Sequence, residues 1–161
     1  MRMSFILLFS LSTILTSCSA VRSSYNYTMG TQCLQNGDLQ GAIENLKKAV
    51  ELGPEIARNH TNLSAAYSLV GEEYLAWVHA RKAVLADYSD ATGKLQFAII
   101  CERMVVKKGL DQPGTSLESI IEALGEPDEI FTINLKTKYL YGLCIMTFKE
   151  DKLVSCQYAR T

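Results

Sequence analysis

The stretch Ala123–Phe131, ALGEPDEIF, marks an abrupt change of structural pattern in the last third of the chain. Gly125 suits the left-handed conformation that commonly ends a helix, and Pro127 disfavours a helical conformation for the residue before it. Leu117, Ile120, Ile121 and Leu124 form one apolar stripe at helical spacing just before this corner. The sequence therefore predicts a short helix that ends at Gly125 and strands that begin after Pro127.

The segments on either side of the corner have recognisable boundaries. Thr115-Ser116-Leu117-Glu118 matches a capping box at the start of the helix. Beyond the corner, β-branched, aromatic and apolar residues predict strands at 129–133, 138–141, 143–148 and 153–157, with turns at 134–137 and 149–152. The last third of the chain should therefore be one helix followed by an antiparallel meander.

Two cysteines fall in the last predicted hairpin. A two-residue loop at Glu150-Asp151 places Phe148 opposite Leu153 and puts Cys144 and Cys156 on opposite faces of the sheet. We therefore expect these cysteines not to pair, although a β-bulge would change their relative orientation.

The first half of the chain contains an internal repeat with a period of 34 residues. Small or apolar positions recur at this spacing, and a glycine lies at the expected turn within each copy. This pattern resembles the tetratricopeptide repeat (TPR), in which small residues let two antiparallel helices pack closely. A third segment, Ala91 to Lys107, continues the phase without a second helix and is predicted to cap the stack. The aligned positions are Met29-Gly30, Cys33, Gly37, Ala42, Leu46 and Ala49 in the first copy and Leu63-Ser64, Tyr67, Gly71, Ala76, Ala80 and Ala83 in the second.

The helix, Gly-x-Pro corner and meander resemble the SmpA/OmlA (BamE-like) domain of bacterial outer-membrane lipoproteins. The resemblance rests on Gly114, Leu124-Gly125-Glu126-Pro127, Tyr139-x-Tyr141 and the segment 147–154. It implies a non-catalytic module that binds other envelope proteins. The predicted fold class is α+β, with a signal peptide at 1–17, two repeats and a capping helix at 24–107, a linker at 108–113 and a BamE-like domain at 114–158.

The N-terminus has the features of an export signal. An apolar run from Phe5 to Leu15 lies within a stretch that has no charge between Arg2 and Arg22, and this run is too short for a permanent membrane span. Leu15-Thr16-Ser17-Cys18 resembles the bacterial lipobox, which implies cleavage before Cys18 and acylation of its thiol, with Ser19 favouring the outer membrane. The alternative is ordinary cleavage after Ala20. Lipidation would anchor the protein to the membrane through acyl chains such as palmitate, facing the periplasm.

The TPR resemblance also implies a concave face formed by the first helix of each unit. Asn62 stands where such repeats commonly hydrogen-bond a ligand backbone, whereas Tyr27 and Thr31 replace the lysines of the family's carboxylate clamp. A charged C-terminal tail is therefore not the expected ligand. The residues predicted to line this peptide-binding groove are Tyr27, Thr31, Gln35, Asn62, Ala65, Leu69, Leu95, Ile99 and Arg103.

The chemistry-bearing residues do not form a recognisable catalytic set. His60 and His79 have no third ligand at zinc spacing and are interpreted as surface or inter-helix residues. Neither a phosphate-binding loop nor a nucleophile elbow occurs, and the net charge of −1 provides no basic surface for nucleic acid. The sequence thus predicts a non-enzymatic adaptor, without a cofactor or metal, that binds envelope proteins or peptides. The alternatives are a pilotin-like chaperone for secretion or pilus assembly, and a small-molecule binding protein or enzyme with an unrecognised site.

Overall fold

The computed structural model describes the backbone of residues 3–158 and the side chains of residues 18–158. The predicted signal peptide, residues 1–17, and residues 159–161 therefore lie outside the described side chains. No helix in the described part of the chain has the length and apolar character needed to cross a membrane. The elements are α1 (Met3–Gln35), α2 (Leu39–Leu52), α3 (Ala57–Leu69), α4 (Glu73–Ala86), α5 (Ala91–Cys101), a π-helical turn (Glu102–Val106), α6 (Leu117–Leu124), β1 (Glu129–Ile133), β2 (Lys136–Tyr141), β3 (Cys144–Lys149) and β4 (Lys152–Tyr158).

Residues 3–158 thus form helices followed by an antiparallel sheet, which confirms the predicted α+β class. α1 packs on α2 and α3 on α4, and small residues at the contacts keep the helices of each pair close. Gly30 illustrates this, because a Cβ atom there would lie 2.6 Å from Leu46 Cγ. Asp38 caps α2, and its carboxylate accepts a hydrogen bond from the Gly41 amide at 2.9 Å. The fully buried alanines of these pairs are Ala42, Ala49, Ala66, Ala76, Ala80 and Ala83.

The sheet has the strand order β1-β2-β3-β4, each strand antiparallel to its neighbour. The β1–β2 turn is tighter than predicted, because only Asn134 and Leu135 lie between the strands. Both residues have positive φ, as do Glu150 and Asp151 in the β3–β4 turn. Such a backbone matches the right-handed twist of a two-residue hairpin. Within the last hairpin, Phe148 lies opposite Leu153, as predicted.

The start of α6 differs from the predicted capping box by one residue. Ser116, not Thr115, is the N-cap, and its hydroxyl accepts a hydrogen bond from the Ser119 amide at 3.2 Å. The Thr115 hydroxyl instead donates to the Gln112 carbonyl oxygen. This shift allows the backbone before α6 to pair with β4, since the Gly114 amide donates to the Leu153 carbonyl oxygen at 2.8 Å and the Leu153 amide donates to the Thr115 carbonyl oxygen at 2.9 Å. The capping segment therefore partly covers the edge of the sheet.

The prediction that Cys144 and Cys156 lie on opposite faces of the sheet was wrong. The register between β3 and β4 shifts between Thr147 and Phe148, so that Cys156 lies opposite Met146. Side chains alternate between faces along a strand, so Cys144 and Met146 share a face and Cys156 joins them. The bulge that reverses the expected orientation adds one residue to β4, and no turn residue in the sequence signals it.

The ALGEPDEIF corner docks the sheet onto α4. The Arg81 guanidinium donates from Nε and Nη2 to the two carboxylate oxygens of Asp128, at 3.1 and 2.6 Å, and also to the carbonyl oxygens of Leu124 and Glu126. Trp77 contacts both the capping helix and the C-terminal module, since its indole N–H donates to Leu124 O and its ring lies against Phe97 of α5. Helices and sheet therefore share one buried core.

Candidate functional site: the concave face of the helices

The concave face implied by the TPR resemblance would lie on the first helices of the units, α1 and α3, together with α5. Three side-chain hydrogen bonds join these helices in sequence. Asn62 Nδ2 donates to Thr31 Oγ1 at 3.0 Å, Gln96 Nε2 to Ser64 Oγ at 3.4 Å and Arg103 Nη1 to Ser68 Oγ at 2.7 Å. The last two bonds show that α3 runs in the same direction as α5 and the π-helical turn that follows it, which contains Arg103, because residue numbers increase together along both segments.

One end of the concave face, between α1 and α3, is polar. Here Asn62 bonds to Thr31, whose hydroxyl in turn donates to the Tyr27 carbonyl oxygen at 2.8 Å. The Arg58 guanidinium lies over the Tyr27 ring, 4.9 Å from its centroid, in a cation–π contact. Asn62 donates one of its amide hydrogens in this series of hydrogen bonds. The residue expected to hold a ligand backbone therefore also orders the neighbouring side chains of the groove.

The other end, between α3 and α5, is apolar and exposed to solvent. Leu69 is 63% exposed, Leu95 64% and Ile99 41%. Arg103 borders this strip, and its bond to Ser68 fixes the guanidinium beside it. Burying such exposed aliphatic side chains against a partner would be favourable by about 25 cal/mol per Å² of apolar surface removed from water. We refer to Leu69, Leu95 and Ile99 as the apolar strip.

The structure thus places the predicted groove residues on three adjacent helices, but these residues are not uniformly polar or uniformly apolar. Tyr27, Thr31 and Asn62 form a bonded polar end, and the apolar strip lies at the opposite end. Ala65 lies half-buried on α3, and Gln35 is exposed at the last position of α1. Sequence reasoning missed Arg58, which could have been identified because it lies one helical turn before Asn62 and so on the same side of α3.

The two histidines form a pair between α3 and α4, with His60 buried and His79 half-buried, which agrees with the inter-helix interpretation. His60 Nδ1 lies 2.9 Å from His79 Nδ1, and His60 Nε2 lies 2.9 Å from the Pro54 carbonyl oxygen. Because that carbonyl only accepts, neutral His60 carries its proton on Nε2, and His79 then donates from Nδ1. Burial lowers the pKa of both imidazoles, that of His79 to about 4 with further contributions from His60 and Lys82.

The histidine pair also packs against an aromatic ring. The His79 ring also stacks on Tyr67, with a centroid separation of 5.7 Å. Among the described side chains, moreover, no group of three His, Cys, Asp or Glu residues could hold a metal ion. The histidines therefore connect the two helices of the second unit.

Comparison with solved structures identifies a similar helical arrangement. The structure described as the Arabidopsis OM64 TPR domain matches with a TM-score of 0.52 and 20% sequence identity, covering 56% of this chain and 74% of that chain. At this identity the likeness concerns the fold alone, and it shows that the helical part has a TPR-like fold. No protein-family model and no curated protein sequence matches the chain.

Proposed function

We propose that this protein is a non-enzymatic adaptor that binds an extended peptide segment of a protein partner on its concave face. The observation that carries the proposal is the apolar strip, which lies in the open on a face whose other end already presents ordered polar groups. A partner segment with apolar side chains would cover the strip while its backbone reached Asn62. The missing clamp lysines argue against recognition of a terminal carboxylate.

The same proposal includes a lipid anchor at Cys18. This residue is exposed, and it precedes Tyr27 by nine residues on the continuous helix α1. At ~1.5 Å per residue the concave face would begin roughly 14 Å from the anchor, so an acylated Cys18 would hold the groove close to a membrane surface. The lipobox resemblance supports the outer membrane, facing the periplasm, as the location.

The BamE-like interpretation of residues 114–158 provides a second contact surface in this proposal. Every residue of β1 is exposed, including Ile130 at 57% and Ile133 at 51%. An edge strand with exposed β-branched side chains is suited to contact another protein. An adaptor with two surfaces would join envelope proteins, whereas a pilotin-like chaperone would carry one secretion or pilus subunit.

The groove is tested by in-cell crosslinking and partner recovery with Leu95→Asp. Placing a carboxylate in the apolar strip should lower recovery about tenfold or more, since a buried leucine contributes about 1.5–3 kcal/mol. Leu135→Asp is the matched control, because this leucine is 90% exposed at the β1–β2 turn, away from the groove. Equal recovery with both variants would remove the concave face as the binding site.

The anchor is tested separately by labelled palmitate incorporation. We expect label in the wild type and none in Cys18→Ala, with the variant released from the membrane fraction. Label that persists in Cys18→Ala, or wild-type protein without label, would contradict the anchor. The identity of the recovered partner separates the two roles, since a single secretion or pilus subunit would support the chaperone alternative.

A further inference from the structure

Three cysteines from distant parts of the chain meet between the helices and the sheet. Cys144 Sγ on β3 lies 3.4 Å from Cys156 Sγ on β4, and the Cys101 thiol at the end of α5 lies near enough to Cys144 to influence its pKa. Cys101 and Cys144 are buried, whereas Cys156 is half-buried. All three are free thiols in this structure. This thiol cluster takes no part in the concave face.

The bulge in the last hairpin creates the close contact. Without the register shift at Thr147/Phe148, β4 would present Cys156 to the opposite side of the sheet. With it, the two sulfurs need to approach by roughly 1.4 Å to reach the ~2.0 Å of a disulfide bond. Since the thiols already touch, small side-chain rotations and a local shift of the strands would provide most of that movement.

The three thiols are not equivalent in reactivity. Hydrogen bonds with Cys101 and Cys156, followed by burial, raise the pKa of Cys144. The pKa of Cys156 is lowered, mainly because the Cys144 thiol donates to its sulfur and also because the Tyr158 hydroxyl does so, although burial opposes the shift. The thiolate is the nucleophile in exchange with disulfides. The half-buried sulfur is therefore the one from which reaction would begin.

We propose that Cys144 and Cys156 form an intramolecular disulfide by exchange with an external disulfide, with Cys156 as the entry thiol. The Cys156 thiolate attacks one sulfur of the reagent, whose S–S bond breaks and releases one thiolate. Cys144 then loses its proton, attacks the Cys156 sulfur of the mixed disulfide and displaces the second thiolate. The two protein thiols are oxidised by two electrons, and the external disulfide is reduced to two thiols.

Cys101 is the competing partner in this cluster. It neighbours Cys144, but both residues are buried, so neither offers the first sulfur to a reagent. The Cys144–Cys156 bond would tie the last two strands together, whereas a Cys101–Cys144 bond would tie α5 to the sheet. The pairing therefore has two distinguishable products.

The sequence makes the pairing directly measurable, because each of the five cysteines lies in a different tryptic peptide. Reduced full-length protein is treated with oxidised glutathione under native conditions, its remaining thiols are alkylated, and the digest is analysed by mass spectrometry. We expect peptide 139–149 linked to peptide 153–160, and loss of this link on reduction. A sample oxidised in denaturant is the control, in which cysteines should pair without this preference.

Two outcomes would contradict the Cys144–Cys156 pairing. A link between peptides 139–149 and 95–103 would assign the disulfide to Cys101, and glutathione adducts without any linked peptides would remove the proposed site. Cys144→Ser adds a test of the order of steps, because it should accumulate glutathione on Cys156. Cys33→Ser, which alters a half-buried thiol outside the cluster, should oxidise as the wild type does. Absence of the Cys156 adduct in Cys144→Ser would overturn the assignment of Cys156 as the entry thiol.

Discussion

The contacts within the helical units and the contact between helices and sheet are built in different ways. Within the units, helices meet through small apolar residues, and the same contact recurs at a fixed spacing along the chain. At the sheet, one arginine and one tryptophan of α4 donate to carbonyl oxygens and a carboxylate of the corner. The difference shows that the packing between helices is distributed over many small residues, whereas the contact between helices and sheet depends on a few polar residues.

Breaking the polar contact should produce the largest effect on stability. Arg81→Ala leaves the Asp128 carboxylate without its bidentate partner, and the two side chains are only 10% and 18% exposed. Removing one partner of a buried pair typically costs about 3–5 kcal/mol. We therefore expect a loss of this size in the free energy of unfolding, measured by chemical denaturation.

The matched control for this variant is Lys108→Ala. Lys108 Nζ lies 3.7 Å from a Glu73 carboxylate oxygen, but both side chains are more than 40% exposed. Exposed pairs contribute about 0–1 kcal/mol, so this variant should unfold nearly as the wild type does. Similar losses for the two variants would mean that Arg81 has no special role in docking the sheet.

Two glycine substitutions should show the same difference between the two kinds of contact, with smaller losses of stability. Gly142→Ala places a Cβ 2.7 Å from Phe97 Cε2 at a residue with φ of 60°, and should cost about 2–4 kcal/mol. Gly30→Ala meets Leu46 Cγ at 2.6 Å, but the gain of about 1 kcal/mol in helix propensity offsets part of the clash. Thermal unfolding should therefore show a larger loss for Gly142→Ala, and the reverse order would contradict this interpretation.

The histidine pair should make the stability of the second helical unit depend on pH. Because the folded-state pKa of His79 is about 4 and the unfolded value is near 6.5, the unfolded chain binds more protons between these values. Stability is therefore full above pH ~6.5 and falls as the pH decreases towards 4, by on the order of 2 kcal/mol after allowing for the partial exposure of the ring.

The variant His79→Phe provides the comparison for this effect. It keeps an aromatic ring against Tyr67 but removes the titration, so its unfolding free energy should fall less between pH 7 and pH 4 than that of the wild type. Both proteins share the carboxylates that also titrate in this range, and the difference between them isolates the imidazole. Parallel curves for the two proteins would show that His79 does not carry the pH dependence.

Features with a local or periodic cause could be predicted from the sequence. The glycine turns, the Asp38 cap and the end of α6 at Gly125 each depend on residues within about one helical turn. The predicted capping box failed by one residue because Thr115 and Ser116 offer equivalent hydroxyls, and pairing of residues 114–117 with β4 selects the second. The TPR resemblance assigned the predicted groove residues to three helices, but their division into a polar and an apolar end depends on side-chain contacts between helices.

The sequence by itself determined the elements, their order and the corner that separates helices from sheet, since backbone preferences and apolar spacing act over a few residues. Only the tertiary structure decided which residues of the helices and the sheet contact each other across that corner. The Arg81–Asp128 pair joins residues 47 positions apart, and the β4 bulge brings Cys156 to Cys144 against the pattern of alternation. Such contacts arise from packing of distant segments in one core, and neither composition nor spacing specifies which partners that packing selects.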